Sequence, residues 1–224
     1  MSVSNYLLSG FKFKKAKELS ANACLENNEK SDALFQQAYD NFGSISSARI
    51  QYPEALHCWG LALINQARQK SDEIASKLFE EAIMKFNLCE TVKENHLGAS
   101  LDKGVALMEQ ANVKKLSLDN DLYSKAKDSF LKAEQIQQGT ASYNLACLYA
   151  LQNNKEACFK SLKKAQDYGI FPDKQTILDD TDLDNVKQLA EFDEFINSLV
   201  YQIRPPLKKR KSKKTKEVKN AKKE

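Results

Sequence analysis

Residues 34–42, Leu-Phe-Gln-Gln-Ala-Tyr-Asp-Asn-Phe, return 44 positions later as residues 78–86, Leu-Phe-Glu-Glu-Ala-Ile-Met-Lys-Phe. Leu34, Phe35, Ala38 and Phe42 thereby map onto Leu78, Phe79, Ala82 and Phe86. The same offset carries Gly60, Ala62, Leu63, Gln66 and Ala67 onto Gly104, Ala106, Leu107, Gln110 and Ala111. A fixed period of roughly 20 to 50 residues marks a repeat architecture, in which each unit buries its apolar face only by stacking on its neighbours. Such stacks present extended surfaces to partners, so the pattern speaks for binding before it speaks for catalysis.

Working outward, apolar residues recur at three- and four-residue steps through nearly all of 5–201, with no alternating strand-like run. The expected fold class is all-α, with helices near 5–26, 30–50, 53–68, 71–88, 95–113, 120–137, 140–152, 154–167 and 183–201. Local chemistry supports several of these ends. Pro53 suits a first helical turn, where its missing N–H has no partner to lose. Ser71 followed by Asp72 and Glu73 offers a cap and negative charge to a helix start. Asn153 with Glu156 reads as a capping box, Gly169 and Pro172 as a stop, and Gly43 as a bend in the second helix.

Composition agrees. The 224 residues are 42% hydrophobic, enough for one or two cores, and contain only seven Gly and four Pro. No stretch approaches the roughly 20 apolar residues that span a bilayer. The short Tyr6-Leu7-Leu8 run precedes its basic residues, the reverse of a signal peptide. A cytoplasmic protein is expected. The five cysteines, Cys24, Cys58, Cys89, Cys147 and Cys158, form no Cys-x-x-Cys pair and read as small buried hydrophobes. With only His57 and His96 beside them, neither a metal, a cofactor nor a catalytic constellation is expected.

The units share finer detail. In 140–170, Leu145, Ala146 and Tyr149 precede Cys158, Leu162 and Ala165. In 53–87, Trp59, Gly60 and Leu63 precede Ala75, Phe79 and Ala82. In 97–137, Gly104 and Leu107 precede Ala126, Phe130 and Ala133, and Phe35 and Ala38 in 31–42 stand for a diverged first unit. Small residues let two helices approach while large ones fill the gap between them. Over about 11–170 the chain resembles the tetratricopeptide repeat (TPR) family, in a bacterial-type variant with elongated inter-helix turns. Ala55-Leu56-His57-Cys58-Trp59-Gly60-Leu61-Ala62-Leu63 stands for that variant's first helix.

That resemblance implies a right-handed α-solenoid of antiparallel hairpins within a domain at 1–203. Its units are expected at about 11–50, 53–88, 95–137 and 140–170, with Trp59 largely buried at a hairpin contact. A C-terminal capping helix is expected in 171–201, where Leu183, Val186, Leu189, Phe192, Phe195, Ile196 and Leu199 form an apolar stripe. Asp180-x-Asp182-Leu183 with Phe192 resembles the ending that follows a terminal Tyr-Asn-Leu-Ala-Cys repeat, here Tyr143 to Cys147.

By the same resemblance, the first helix of each hairpin lines a concave partner groove. His57, Leu61, Asn65, Leu101, Val105, Met108, Tyr143 and Cys147, with Asn144 alongside, are the expected lining. Members that clamp a C-terminal carboxylate use Lys and Asn there; here those places are largely apolar, which suits an amphipathic helix. The occupant is either a protein or peptide partner, or the chain's own N-terminal or capping helix. The expected function is a non-catalytic adaptor with no small-molecule substrate.

Two charged features remain. Asp180, Asp182, Asp184 and Glu191 match a calcium-loop spacing, but Asn185 stands where that loop needs Gly. They read instead as capping and first-turn charge on the last helix. Residues 204–224 hold 11 Lys/Arg and two Asp/Glu, a net +9, leaving a net −5 on 1–203. The run Lys208, Lys209, Arg210, Lys211, Lys213 and Lys214 carries no aromatic and is expected to be disordered. It can act as a nuclear-import signal in a nucleated cell, or contact nucleic acid, a ribosome or an anionic membrane weakly.

Overall fold

The computed structural model describes residues 3–26 and 28–199. Among them the chain is helical, with no strand: α1 (Val3–Leu25), α2 (Asn28–Gly43), α3 (Tyr52–Ala67), α4 (Asp72–Val92), α5 (Leu97–Val113), α6 (Asp121–Ile136), α7 (Ser142–Leu151), α8 (Lys155–Tyr168), α9 (Lys174–Asp179) and α10 (Ala190–Ser198), with a 3-10 turn at Thr181–Leu183. Helices pack in adjacent pairs, α1 on α2, α3 on α4, α5 on α6 and α7 on α8, and α4 also lies along α5. The basic run beyond 203 lies outside the described residues.

The 44-residue period reaches further in space than in sequence. In the second helices, Ser31, Phe35, Ala38 and Phe42 are buried in α2; Ala75, Phe79, Ala82, Phe86 and Cys89 in α4; and Tyr123, Ala126, Phe130 and Ala133 in α6. In the first helices, Ala16, Gly60 and Gly104 share one buried position, and Ala23, Ala67 and Ala111 another. The glycines show why. A Cβ on Gly60 would sit 2.5 Å from the Phe86 ring, and one on Gly104 2.4 Å from the Phe130 ring. Each aromatic ring therefore rests an edge against bare backbone, and no side chain fits between them.

These contacts correct the alignment of the hairpins. Because Gly60–Phe86 and Gly104–Phe130 are equivalent, Ala82, Phe86 and Cys89 correspond to Ala126, Phe130 and Ala133. The expected equivalence with Ala75, Phe79 and Ala82 is seven residues too early. α4 carries the small-large-small pattern twice, overlapping at Ala82, and the 44-residue offset that pairs Gly60 with Gly104 also pairs the second copy, Ala82, Phe86 and Cys89, with Ala126, Phe130 and Ala133.

Helix ends differ from expectation at three places. α2 stops at Gly43, short of 50; Ser44 Oγ donates to the Asn41 carbonyl, and Ser46 Oγ accepts from the Ala48 N–H, drawing the backbone into turns. At α8 the cap is Asn154, which accepts from the Ala157 N–H, while Asn153 takes a left-handed φ of 56°. Ser71 holds the cap position of α4 without a side-chain cap bond. Gly169 closes α8 at φ 64°, as a left-handed stop.

Trp59 is partly buried and packs against two neighbouring cores. With α2 ended at Gly43, it stacks on Tyr39 and Phe42, with ring centroids 6.1 and 6.5 Å away, and the Lys85 ammonium lies 3.8 Å from its centroid.

The expected single helix over 183–201 is broken. Asp180 accepts from the Asp182 N–H, short turns run through Leu183, Val186 and Leu189, and Leu189 is extended before α10 begins. The apolar stripe is nonetheless buried. Ile177, Leu183, Val186, Phe192, Phe195 and Ile196 join Tyr143, Ala146, Cys158, Leu162 and Ala165 in one core.

Candidate functional site

His57 is tied across the hairpins. Its Nε2 lies 2.6 Å from Asp102 Oδ2, joining α3 to α5, and its ring lies against Gly98, where a Cβ would be 2.6 Å away. The His96 ring is 4.9 Å from it, centroid to centroid. His96 Nδ1 accepts the Ala99 N–H at 3.1 Å as the cap of α5, so the ring proton sits on Nε2 and is donated to Glu54 Oε2 at 3.1 Å. Glu54 also receives Lys93 at 3.0 Å. Burial pushes the Glu54 carboxyl up, but the Lys93 and His96 hydrogen bonds outweigh it and hold the carboxyl below its usual range.

Donor atoms of Glu54, His57 and His96 come within 4.8 Å of one another. With Nδ1 accepting an amide and Nε2 protonated, however, His96 has no lone pair to give a metal unless the α5 cap breaks. The cluster is a hydrogen-bonded clasp holding the start of α5 on α3.

Five of the expected groove positions converge. Val105 and Met108 from α5 and Tyr143, Asn144 and Cys147 from α7 line one cavity of about 120 Å³, together with the edge of Phe130. Leu61, Asn65 and Leu101 are half-buried and lie outside this cavity; Leu101 packs beside the α5–α6 core. The expected apolar character needs correction, because Glu109, Asp180 and Asp182 form part of the wall. Two of these acids come from the segment after α9, which reaches the cavity because its apolar neighbours Ile177 and Leu183 are anchored in the α7–α8 core.

The acids are unequal. Glu109 is held by the Arg68 guanidinium across α3 and α5. Asp180 Oδ2 accepts the Tyr143 hydroxyl at 2.7 Å and the Cys147 thiol at 3.5 Å, while Oδ1 takes the Asp182 N–H at 3.0 Å. Asp182 has no Lys or Arg within 4 Å among the described residues. Burial, then Asp180, Glu109 and Asp184, push its carboxyl up to about 6.

Burial and the neighbouring Asp180 also push the Cys147 thiol well above its usual value, and burial with the Cys147 and Asp180 charges pushes up the Tyr143 phenol. A thiol kept protonated is neither a nucleophile nor a ready metal ligand, although Cys147, Asp180 and Asp182 lie within 4.8 Å of one another. The calcium-type spacing does not gather its four acids: Asp184 and Glu191 are exposed and stand outside that group. The arrangement suits a cation on a short apolar stem better than a reaction.

A separate cavity of about 630 Å³ opens between α4, α5 and α6, bordered by Met84, Leu107, Leu122, Lys103 and Lys132. Lys103 and Lys132 share a single carboxylate there: Glu90 receives Lys103 at 2.5 Å and Lys132 at 3.0 Å.

Among the described residues no helix is long and apolar enough to cross a membrane. No family model, curated protein or solved structure matches this chain.

Proposed function

We propose that the chain is a non-catalytic adaptor of the TPR type, a right-handed solenoid of hairpins closed by residues 171–201, which holds a helix or extended segment of a protein partner in its concave groove. The observation that carries this reading is the convergence of Val105, Met108, Tyr143, Asn144 and Cys147 on one cavity. A stack of hairpins in a shared register supports the TPR resemblance, since only repeated backbone geometry places Gly60 under Phe86 and Gly104 under Phe130 alike. The adaptor acts in the cytoplasm, with nuclear residence where the host has a nucleus, and needs no cofactor.

The split of charge, net −5 on 1–203 and net +9 on 204–224, favours one second reading. In it the basic run supplies weak affinity for nucleic acid, a ribosome or an anionic membrane while the groove recruits a protein.

The test is occlusion of the groove. In Val105→Lys the new ammonium reaches the acids of the cavity wall, so the fold tolerates it while the space is filled. Proteins recovered with the full chain are expected to fall at least tenfold with Val105→Lys and to persist with Met84→Lys, whose side chain is exposed in the other cavity. Equal recovery with both variants, at unchanged melting temperatures, defeats the groove reading.

A further inference from the structure

We propose that the chain's own basic terminus, residues 204–224, docks at the acidic end of the groove and competes there with the partner. This rests on the groove reading above and adds regulation to it.

The cavity has the two parts a lysine or arginine side chain needs. Val105, Met108 and Tyr143 supply apolar wall for a methylene stem, and Asp180 and Asp182 supply carboxylates for the head. About 120 Å³ is room for one such side chain and little more. Among the described residues neither Asp180 nor Asp182 has a Lys or Arg partner, whereas Glu54, Glu90, Glu109 and Glu134 each have at least one. Asp180 already holds the Tyr143 hydroxyl; Asp182 holds no side-chain donor from the described chain and shares the cavity wall with Asp180 and Glu109. An added cation is attracted by the whole group, and the low polarity of Met108 and Phe130 beneath it weakens screening.

The terminus has the complementary chemistry and a short path. Its 11 Lys/Arg against two Asp/Glu oppose the net negative charge of the rest. Leu199, the last described residue, packs on the same core as Tyr143 and Cys147, so the described chain ends on the body that carries the cavity. From there Lys208 lies nine residues on, a reach of about 30 Å when extended. Tethering at that range gives an effective concentration on the order of millimolar, enough to make a single weak ion-pair contact count.

Methionine methyl signals test this in the full chain. Its three methionines are Met1, Met84 and Met108; Met108 lines the acidic cavity and Met84 the separate one. With ¹³C-methyl methionine, removing 204–224 is expected to move the Met108 signal and leave Met84 in place. Raising salt on the full chain is expected to move Met108 toward the truncated position, and adding a peptide of residues 204–224 to the truncated chain to move it back. In Asp180→Asn/Asp182→Asn, full and truncated chains are expected to give the same Met108 signal.

A Met108 signal unmoved by truncation overturns the proposal, as does movement of Met84 and Met108 together. Movement that disappears on dilution assigns the contact to a second copy and overturns the intramolecular form. If Met108 is unmoved while Val105→Lys still loses its partners, the groove reading stands and the regulation alone falls.

Discussion

Glu134→Ala is expected to lower the free energy of unfolding by about 3 to 5 kcal/mol, read from the denaturant midpoint. Glu134 is buried on α6 and gathers the link to the next hairpin. Its Oε2 accepts the Gly139 N–H at 3.0 Å; its Oε1 accepts the Ala141 N–H at 2.8 Å and the Ser142 hydroxyl at 2.9 Å. The Lys164 ammonium from α8 completes the set. Gly139 passes through φ 87° with the Tyr168 ring where a Cβ would be, so no side chain there can replace the carboxylate. Alanine strands two buried amides and the buried Ser142 hydroxyl at once, which costs more than the missing contacts themselves, while the exposed Lys164 turns to water.

Glu134→Gln keeps the size and one acceptor and is expected to lose less. The comparison also has a pH signature. Burial pushes the Glu134 carboxyl up, but Lys164 and the Gly139, Ser142 and Ala141 donors outweigh it and hold it below its usual value. A carboxyl with a lowered folded value stabilises fully above its unfolded value, about 4.3, and the contribution drains away as pH falls through the folded value. The gap between wild type and Glu134→Gln is therefore expected to be widest near pH 7 and to shrink on acidification below about pH 4. A gap that is flat from pH 7 to 3 overturns this account.

Much of this fold was legible because burial obeys the helix period. The steps through Phe35, Ala38 and Phe42, and again through Phe79, Ala82 and Phe86, name residues that are all buried. What the period conceals is backbone continuity. Leu183 and Val186 are three apart, a spacing that α-helix and consecutive tight turns satisfy alike, so one long helix was expected where turns and the short α10 stand. Alignment is a different matter: α4 carries Ala75-x-x-x-Phe79-x-x-Ala82 and Ala82-x-x-x-Phe86-x-x-Cys89, which look alike within one unit, and the 44-residue offset selects the second, as the contact of Gly60 with Phe86 does in space.

The cavity between α5 and α7 was half-legible for a related reason. The face of α5 and α7 follows from spacing, which brought Val105, Met108, Tyr143, Asn144 and Cys147 together. Its polarity does not, because Asp180 and Asp182 arrive from more than 30 residues downstream in a segment positioned by Ile177 and Leu183. His57 shows the converse. A histidine on the groove-facing helix looks available in sequence, yet Asp102 on the neighbouring hairpin takes it.

Phe130→Ala is expected to destabilise by about 3 to 5 kcal/mol, as other large truncations in close-packed cores do. The ring is fully buried and its edge rests on the bare backbone of Gly104, so little can collapse into the space. Gly104→Ala is a separate loss with opposite parts. Alanine gains about 1 kcal/mol of helix propensity over glycine, while forcing a methyl to within 2.4 Å of the ring costs about 1 to 3 kcal/mol. Combined, the two changes are expected to cost less than their sum by about 0.5 to 3 kcal/mol, because the methyl enters space that the ring has vacated. The cycle at Gly60 and Phe86 is expected to show coupling of the same sign and similar size. The crossed pair Gly60→Ala/Phe130→Ala, which joins residues of different hairpins, is expected to be additive within about 0.5 kcal/mol. Denaturant melts of the eight proteins decide the matter. Additivity at Gly104/Phe130 denies the contact, and coupling in only one hairpin denies that the two units are built alike, which is the property on which the repeat reading depends.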